Sequence, residues 1–165
     1  MTKPVKLLFL LLLLTMVGCS TSNSNEISVF NNTIFKIEKG EIFCDSNSIN
    51  SDTYNLHLEK SNLQIPLFKC IESKGYSLFL GIPVDATLEK LVADRTQNQI
   101  GKPQIVKNDT LSSFFQTYEK NNSYYSEYCR FHENNAVYIL AVSQSKKTSE
   151  SLFTSKSFSD RFIQK

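Results

Sequence analysis

Tryptophan is absent and histidine occurs only twice, at His57 and His132. Without tryptophan there is no indole platform for stacking sugars, and two histidines leave little room for a histidine-rich metal centre. The five glycines are scattered, so no loop can cradle a phosphate. None of GxSxG, Walker A, GxGxxG or HExxH occurs, and the four cysteines form no CxxC pair. Asp45-x-Asn47 opens like a calcium loop. Ile49, Asn50 and Leu56 then stand where that loop needs Asp or Asn, glycine and glutamate, so the EF-hand reading fails. Nothing marks a catalytic centre, a metal site or a cofactor. What remains is 165 residues, 41% hydrophobic and 21% charged: one domain with enough apolar chain for a core.

The one long apolar run lies at the start. Lys3 and Lys6 precede an apolar stretch from Leu7 to Met16, interrupted only by Thr15. A cationic start followed by a run too short to span a bilayer is the pattern of a secretory signal. Met16-Val17-Gly18-Cys19 resembles the lipobox of bacterial lipoproteins, with Met16 in place of the more usual leucine. The resemblance implies diacylglyceride on the Cys19 sulfur, cleavage after Gly18, and acylation of the new amine by a chain such as palmitate. Residues 1–18 are then a signal peptide and the bilayer is a partner through acylated Cys19. Ser20, where aspartate would favour inner-membrane retention, is compatible with outer-membrane delivery in a host with two membranes. Residues 19–26 read as a lipidated polar tether and residues 27–165 as a single domain.

Removal of Lys3 and Lys6 brings the 18 basic residues to 16, equal to the 16 acidic ones. A neutral domain gives no support for nucleic-acid binding. Export permits disulfides, and Cys44, Cys70 and Cys129 allow at most one internal bridge. Spacing does not choose among the three pairings, or between one bridge and none.

Alternation and turn residues predict the elements. Ile27–Phe30 and Thr33–Cys44 read as a hairpin about Asn31-Asn32, with a bend at Gly40. Thr53–Glu59 alternates like a strand that points His57 to solvent. Leu63–Ile71 is a further strand, irregular or at an edge because of Pro66. Tyr76–Val84 reads as a strand covered on both faces. A helix capped by Asp85 follows over Ala86–Arg95, then a short strand at Gln104–Val106. Leu111, Phe114, Phe115 and Tyr118 fall at helical spacing behind a cap at Asp109 or Thr110, and Asn121-Asn122 ends that helix. Ser123–His132 and Ala136–Gln144 form a hairpin, and Thr148–Gln164 reads as a helix, whole or broken. The sum is an α+β plan: an antiparallel sheet with two or three helices packed on one face. The order of buried strand, short helix, late hairpin and closing helix resembles the PsbP/Mog1-like architecture, from which no function is carried over.

One cluster invites recognition. On the strand 123–132, Tyr124, Tyr128, Arg130 and His132 share one face, while Tyr125, Cys129 and Phe131 share the other. If the latter is core, the former is a tyrosine-rich strip beside a cation, suited to a protein or glycan. Ordinary cross-strand aromatic pairing explains the same residues. Together these features point to an anchored envelope lipoprotein with a non-catalytic binding or accessory role beside a protein partner. A small-ligand or glycan binder is the alternative, and a carboxylate-dependent envelope hydrolase the more distant one.

Overall fold

The computed structural model describes residues 25–30, 32–44, 51–98, 100–107 and 111–165. The signal segment, Cys19, most of the expected tether, Asn31, Asp45 and the cap at Asp109 or Thr110 lie outside them.

Ten strands and four helices follow the order β1 (Glu26–Phe30), β2 (Thr33–Lys36), β3 (Ile42–Phe43), α1 (Ser51–Leu58), β4 (Leu67–Ser73), β5 (Tyr76–Gly81), α2 (Leu88–Gln97), β6 (Gln104–Lys107), β7 (Ser112–Lys120), β8 (Ser123–His132), β9 (Asn135–Ser143), α3 (Lys146–Leu152), α4 (Ser155–Ser159) and β10 (Phe162–Gln164) among the described residues. Seven strands make one antiparallel sheet in the order β3-β4-β5-β9-β8-β7-β6. β2 lies between β1 and β10 in a separate antiparallel sheet.

The expected α+β plan is therefore corrected. Strand dominates, there are two sheets, and the few short helices do not gather on one face. Leu78, Leu80, Phe115, Tyr128 and Ile139 pack on one side of the large sheet against Phe35 of the small sheet and Ile37 just beyond β2, with Phe153 and Phe158. Phe79, Phe114, Cys129, Tyr138 and Leu140 pack on the other side against Tyr54 of α1 and Leu88 and Leu91 of α2.

That double coverage explains the wrong element at 111–118. Phe114 and Phe115 point to opposite faces, and both faces are core. Such a strand needs no polar alternation, and its apolar run also fits a helical stripe. Asn121 and Asn122 both have positive φ, 52° and 60°, and form the two-residue turn of the β7–β8 hairpin rather than a helix end. The β8–β9 hairpin stands as read, with Glu133 at φ 52° in its turn.

Thr53–Glu59 is the second correction: it lies largely within helix α1. Tyr54 and His57, at helical spacing, turn inward, while Leu56 is exposed. Asp85 has φ 50° and does not cap α2; Thr87 does, its Oγ1 accepting the Lys90 amide. In the last segment the hydroxyl residues break the helix by capping. Ser145 caps α3, and Thr154 with Ser157 forms a capping box on α4.

Candidate functional site

Beneath α1 and α2 the apolar face of the large sheet contains a set of buried polar groups. Arg95 lies four residues after Leu91, on the inward side of α2, and is fully buried. Its Nε donates to Glu127 Oε2 at 2.7 Å, Nη1 to Asp94 Oδ2 at 2.6 Å and Nη2 to the Tyr138 hydroxyl at 3.3 Å. Asp94 also accepts from the Asn62 amide and the Ser61 hydroxyl, tying the chain after α1 to α2. Glu127 comes from the middle of β8, beside Tyr125 and Cys129 on the same face.

His57 completes the set from α1. Its Nε2 stands 2.9 Å from Glu127 Oε1 and 3.0 Å from the Tyr138 hydroxyl. An ionised carboxylate only accepts, so Nε2 carries the proton between them. The Tyr118 hydroxyl donates to Glu127 Oε1 at 3.0 Å and lies 2.7 Å from His57 Nδ1. The imidazole is nearly parallel to the rings of Tyr118 and Tyr125.

These contacts settle the charge on Glu127. Burial alone would push its carboxyl up, but the hydrogen bond from His57 and the charge of Arg95 outweigh it and hold it at about 2. Desolvation, with Glu127 close by, pushes the Tyr118 phenol far above its usual range, so it stays neutral. The Cys129 thiol, fully buried, is likewise pushed up chiefly by desolvation and stays protonated.

Above this cluster lies a cleft of about 310 Å³, lined by His57, Lys60, Asn98, Gly101, Tyr118 and Lys120 among others. Gly101 (φ 61°) permits the close approach of Gln116, whose Oε1 lies 2.6 Å from where a Cβ at 101 would sit. Neither polar atom of the Gln116 amide finds a hydrogen-bond partner among the described residues, nor does Asn98 Nδ2.

The recognition strip has a different fate. Tyr124, Tyr128, Arg130 and His132 do share a strand face, but the small sheet and α4 cover much of it. Tyr128 is completely buried against Phe158 and Phe162. The Arg130 guanidinium lies over the Phe162 ring at 4.9 Å, and His132 stacks on Phe30. Tyr124 is half-buried. The strip is not an exposed recognition surface. Most of it is the floor on which β1, β10 and α4 rest, because both faces of β8 are core.

Cys44 and Cys70 form a disulfide, and Cys129 is a buried free thiol. Glu72 approaches the Cys44–Cys70 pair, but the bridge uses both sulfurs and leaves no thiolate there to ligate a metal.

Sequence reading missed the Arg95–Glu127–His57 cluster. Its one signal was a charge on each of two apolar stripes: Arg95 behind Leu88 and Leu91, and Glu127 among Tyr125, Cys129 and Phe131.

No family model and no curated protein sequence matches the chain. In fold it is similar to the solution structure of cyanobacterial PsbP from Synechocystis sp. PCC 6803, with a TM-score of 0.50 and 10% sequence identity over 92% of this chain and 99% of that one. That is the architecture its order of buried strand, short helix, late hairpin and closing helix resembles, the closing helix being broken into α3, α4 and β10. The likeness is one of fold.

Proposed function

We propose that this chain is a lipid-anchored envelope lipoprotein whose β-rich domain has a non-catalytic accessory role beside a protein partner. The lipobox supports the anchor, and Ser20 favours the outer membrane where the host has two. The observation that carries the non-catalytic reading is the closure of the buried cluster. Glu127 is held ionised by three donors, the Tyr118 phenol is held neutral, and Arg95 is fully buried. A general acid or base works with a pKa near the operating pH, and neither the carboxylate nor the phenol has one. The cluster instead fastens α1 and α2 to β8. The fold shared with cyanobacterial PsbP is carried over as a scaffold and not as an activity.

Crosslinking in intact envelopes, with Cys19→Ala as control, tests this reading. A specific protein partner that is lost in the control supports it. Abundant recovery of the chain with no partner overturns the accessory role. A Cys19→Ala chain that stays in carbonate-washed membranes with unchanged mass overturns the anchor.

A second reading, binding of a small polar ligand, is favoured by the unpartnered amide groups of Gln116 and Asn98 at and below the cleft. A thermal-shift screen of small polar metabolites tests it. A hit that Gln116→Leu abolishes supports the reading, and hits unaffected by that change count against it.

A further inference from the structure

We propose that the β3–β4 edge of the large sheet, built from Ile42, Phe43, Phe68 and Lys69, is a docking surface for the headgroup and upper acyl region of a lipid bilayer. The proposal rests on the anchored reading above and adds how the domain sits on its membrane.

Among the described residues β3, two residues long, pairs only with β4 and is the outermost strand. Ile42 is 66% exposed, Phe43 45% and Phe68 42%. Ile42 and Phe43, consecutive on β3, turn to opposite faces of the edge, with Phe68 sharing Lys69 with Phe43, so a surface that meets the edge end-on covers all three. The edge is also held in place. The Cys44 amide donates to the Cys70 carbonyl at 3.0 Å, and the Cys44–Cys70 disulfide locks the end of β3 to β4. Lys69 Nζ stands 5.8 Å from the Phe43 ring centre and 5.7 Å from that of Phe68. An ammonium beside two exposed rings is the chemistry of a bilayer interface: rings enter the acyl boundary and the charge stays among phosphates. Among the described residues here the charges do not oppose this: Lys39, Lys69 and Lys74 outnumber Glu38 and Glu72, and Glu41 is taken by Arg161.

The position of the anchor selects lipid as the occupant. Cys19 and Asn25 are six residues apart, so they can lie at most about 20 Å apart. The Asn25 carbonyl accepts the Ile37 amide at 2.8 Å. From Ile37 the chain turns over Glu38–Glu41, where the Glu41 amide donates to the Glu38 carbonyl, and enters Ile42 directly. The acylated residue thus joins the domain beside this edge and keeps it within reach of the bilayer. Tethering raises the effective concentration of lipid, so a patch too small to bind membranes alone can still dock.

The absence of tryptophan makes the test direct. Phe68→Trp at this edge and Val106→Trp on exposed β6 at the opposite edge each give a single-tryptophan chain. Intact mass first establishes acylation of the purified full-length product. Each variant is then placed in phosphatidylcholine–phosphatidylglycerol vesicles with and without brominated acyl chains. The expected result is a blue shift and loss of most emission for Phe68→Trp with brominated lipid, and little change for Val106→Trp. An acylated chain quenched equally at both edges, or at neither, overturns the docking and leaves the anchor standing. A blue shift without quenching means that protein covers the edge, which also overturns the lipid assignment. A product of unmodified mass overturns the anchor and the docking with it.

Discussion

Arg95 and Glu127, both without exposed side-chain surface, meet at 2.7 Å between Nε and Oε2. Removing one member of such a pair strands the other charge in a low-dielectric interior, at a cost of about 3–5 kcal/mol. Arg95→Met is expected to lose that much in urea unfolding, because Asp94 and Glu127 both lose the guanidinium that neutralises them. Adding Glu127→Leu to it removes one stranded carboxylate. The double variant should therefore be destabilised by clearly less than the two single losses together. Strictly additive losses would mean that the two side chains are not coupled.

Acid should unfold the domain through the same carboxylate. Folded Glu127 sits at about 2, below its ordinary value of 4.5. A lowered folded pKa gives stability that is fully present above 4.5 and is lost as pH falls toward 2. For this fully buried group the separation corresponds to about 3 kcal/mol. Urea midpoints between pH 7 and pH 3 should be level down to about 4.5 and then fall, and Glu127→Gln should flatten that limb. A wild-type midpoint that stays level to pH 3 contradicts the assignment.

How much of this could be read in advance depends on how local the signal was. The β8–β9 hairpin was legible from its turn residues, and α2 from its apolar spacing although its cap is Thr87 and not Asp85. Phe114 and Phe115 were not, since adjacent aromatics fit a helix stripe as well as a strand buried on both faces, and only the second layer decides between them. α1 was misread because Tyr54, Leu56 and Leu58 alternate. The fold instead exposes Leu56 and turns His57 inward to meet Glu127, seventy residues away. That pairing is a tertiary fact with no local trace, and the same holds for Tyr128, covered by Phe158 and Phe162. Of the three cysteine pairings, only the β3–β4 register selects Cys44 with Cys70.

The Cys44–Cys70 bridge closes a loop with a sequence separation of 26. Chain-entropy reasoning gives about 3–4 kcal/mol for a loop of that length. The double variant Cys44→Ser, Cys70→Ser should lower the urea midpoint accordingly. Cys129, which is fully buried, should react with a thiol reagent only after unfolding. Rapid labelling of Cys129 under native conditions would show that the β8 core opens without global unfolding.

Gly81 leaves room for a close approach of α1 to the large sheet. A methyl group there would lie 2.1 Å from the Tyr54 hydroxyl oxygen and 2.8 Å from Ile65 Cγ2. The space is taken because Tyr54 reaches across the sheet to donate to the Ile65 carbonyl at 2.8 Å. Gly81→Ala must displace that hydroxyl or bend β5, and overpacking of this kind costs about 1–3 kcal/mol. Tyr54→Phe alone should cost about 1 kcal/mol, the value of one buried hydrogen bond. In the Gly81→Ala background the same change should instead recover stability, because the atom in closest conflict is gone. Calorimetric melting of the four chains reads this reversal of sign. If Tyr54→Phe destabilises both backgrounds equally, the conflict lies with Ile65 and not with the hydroxyl.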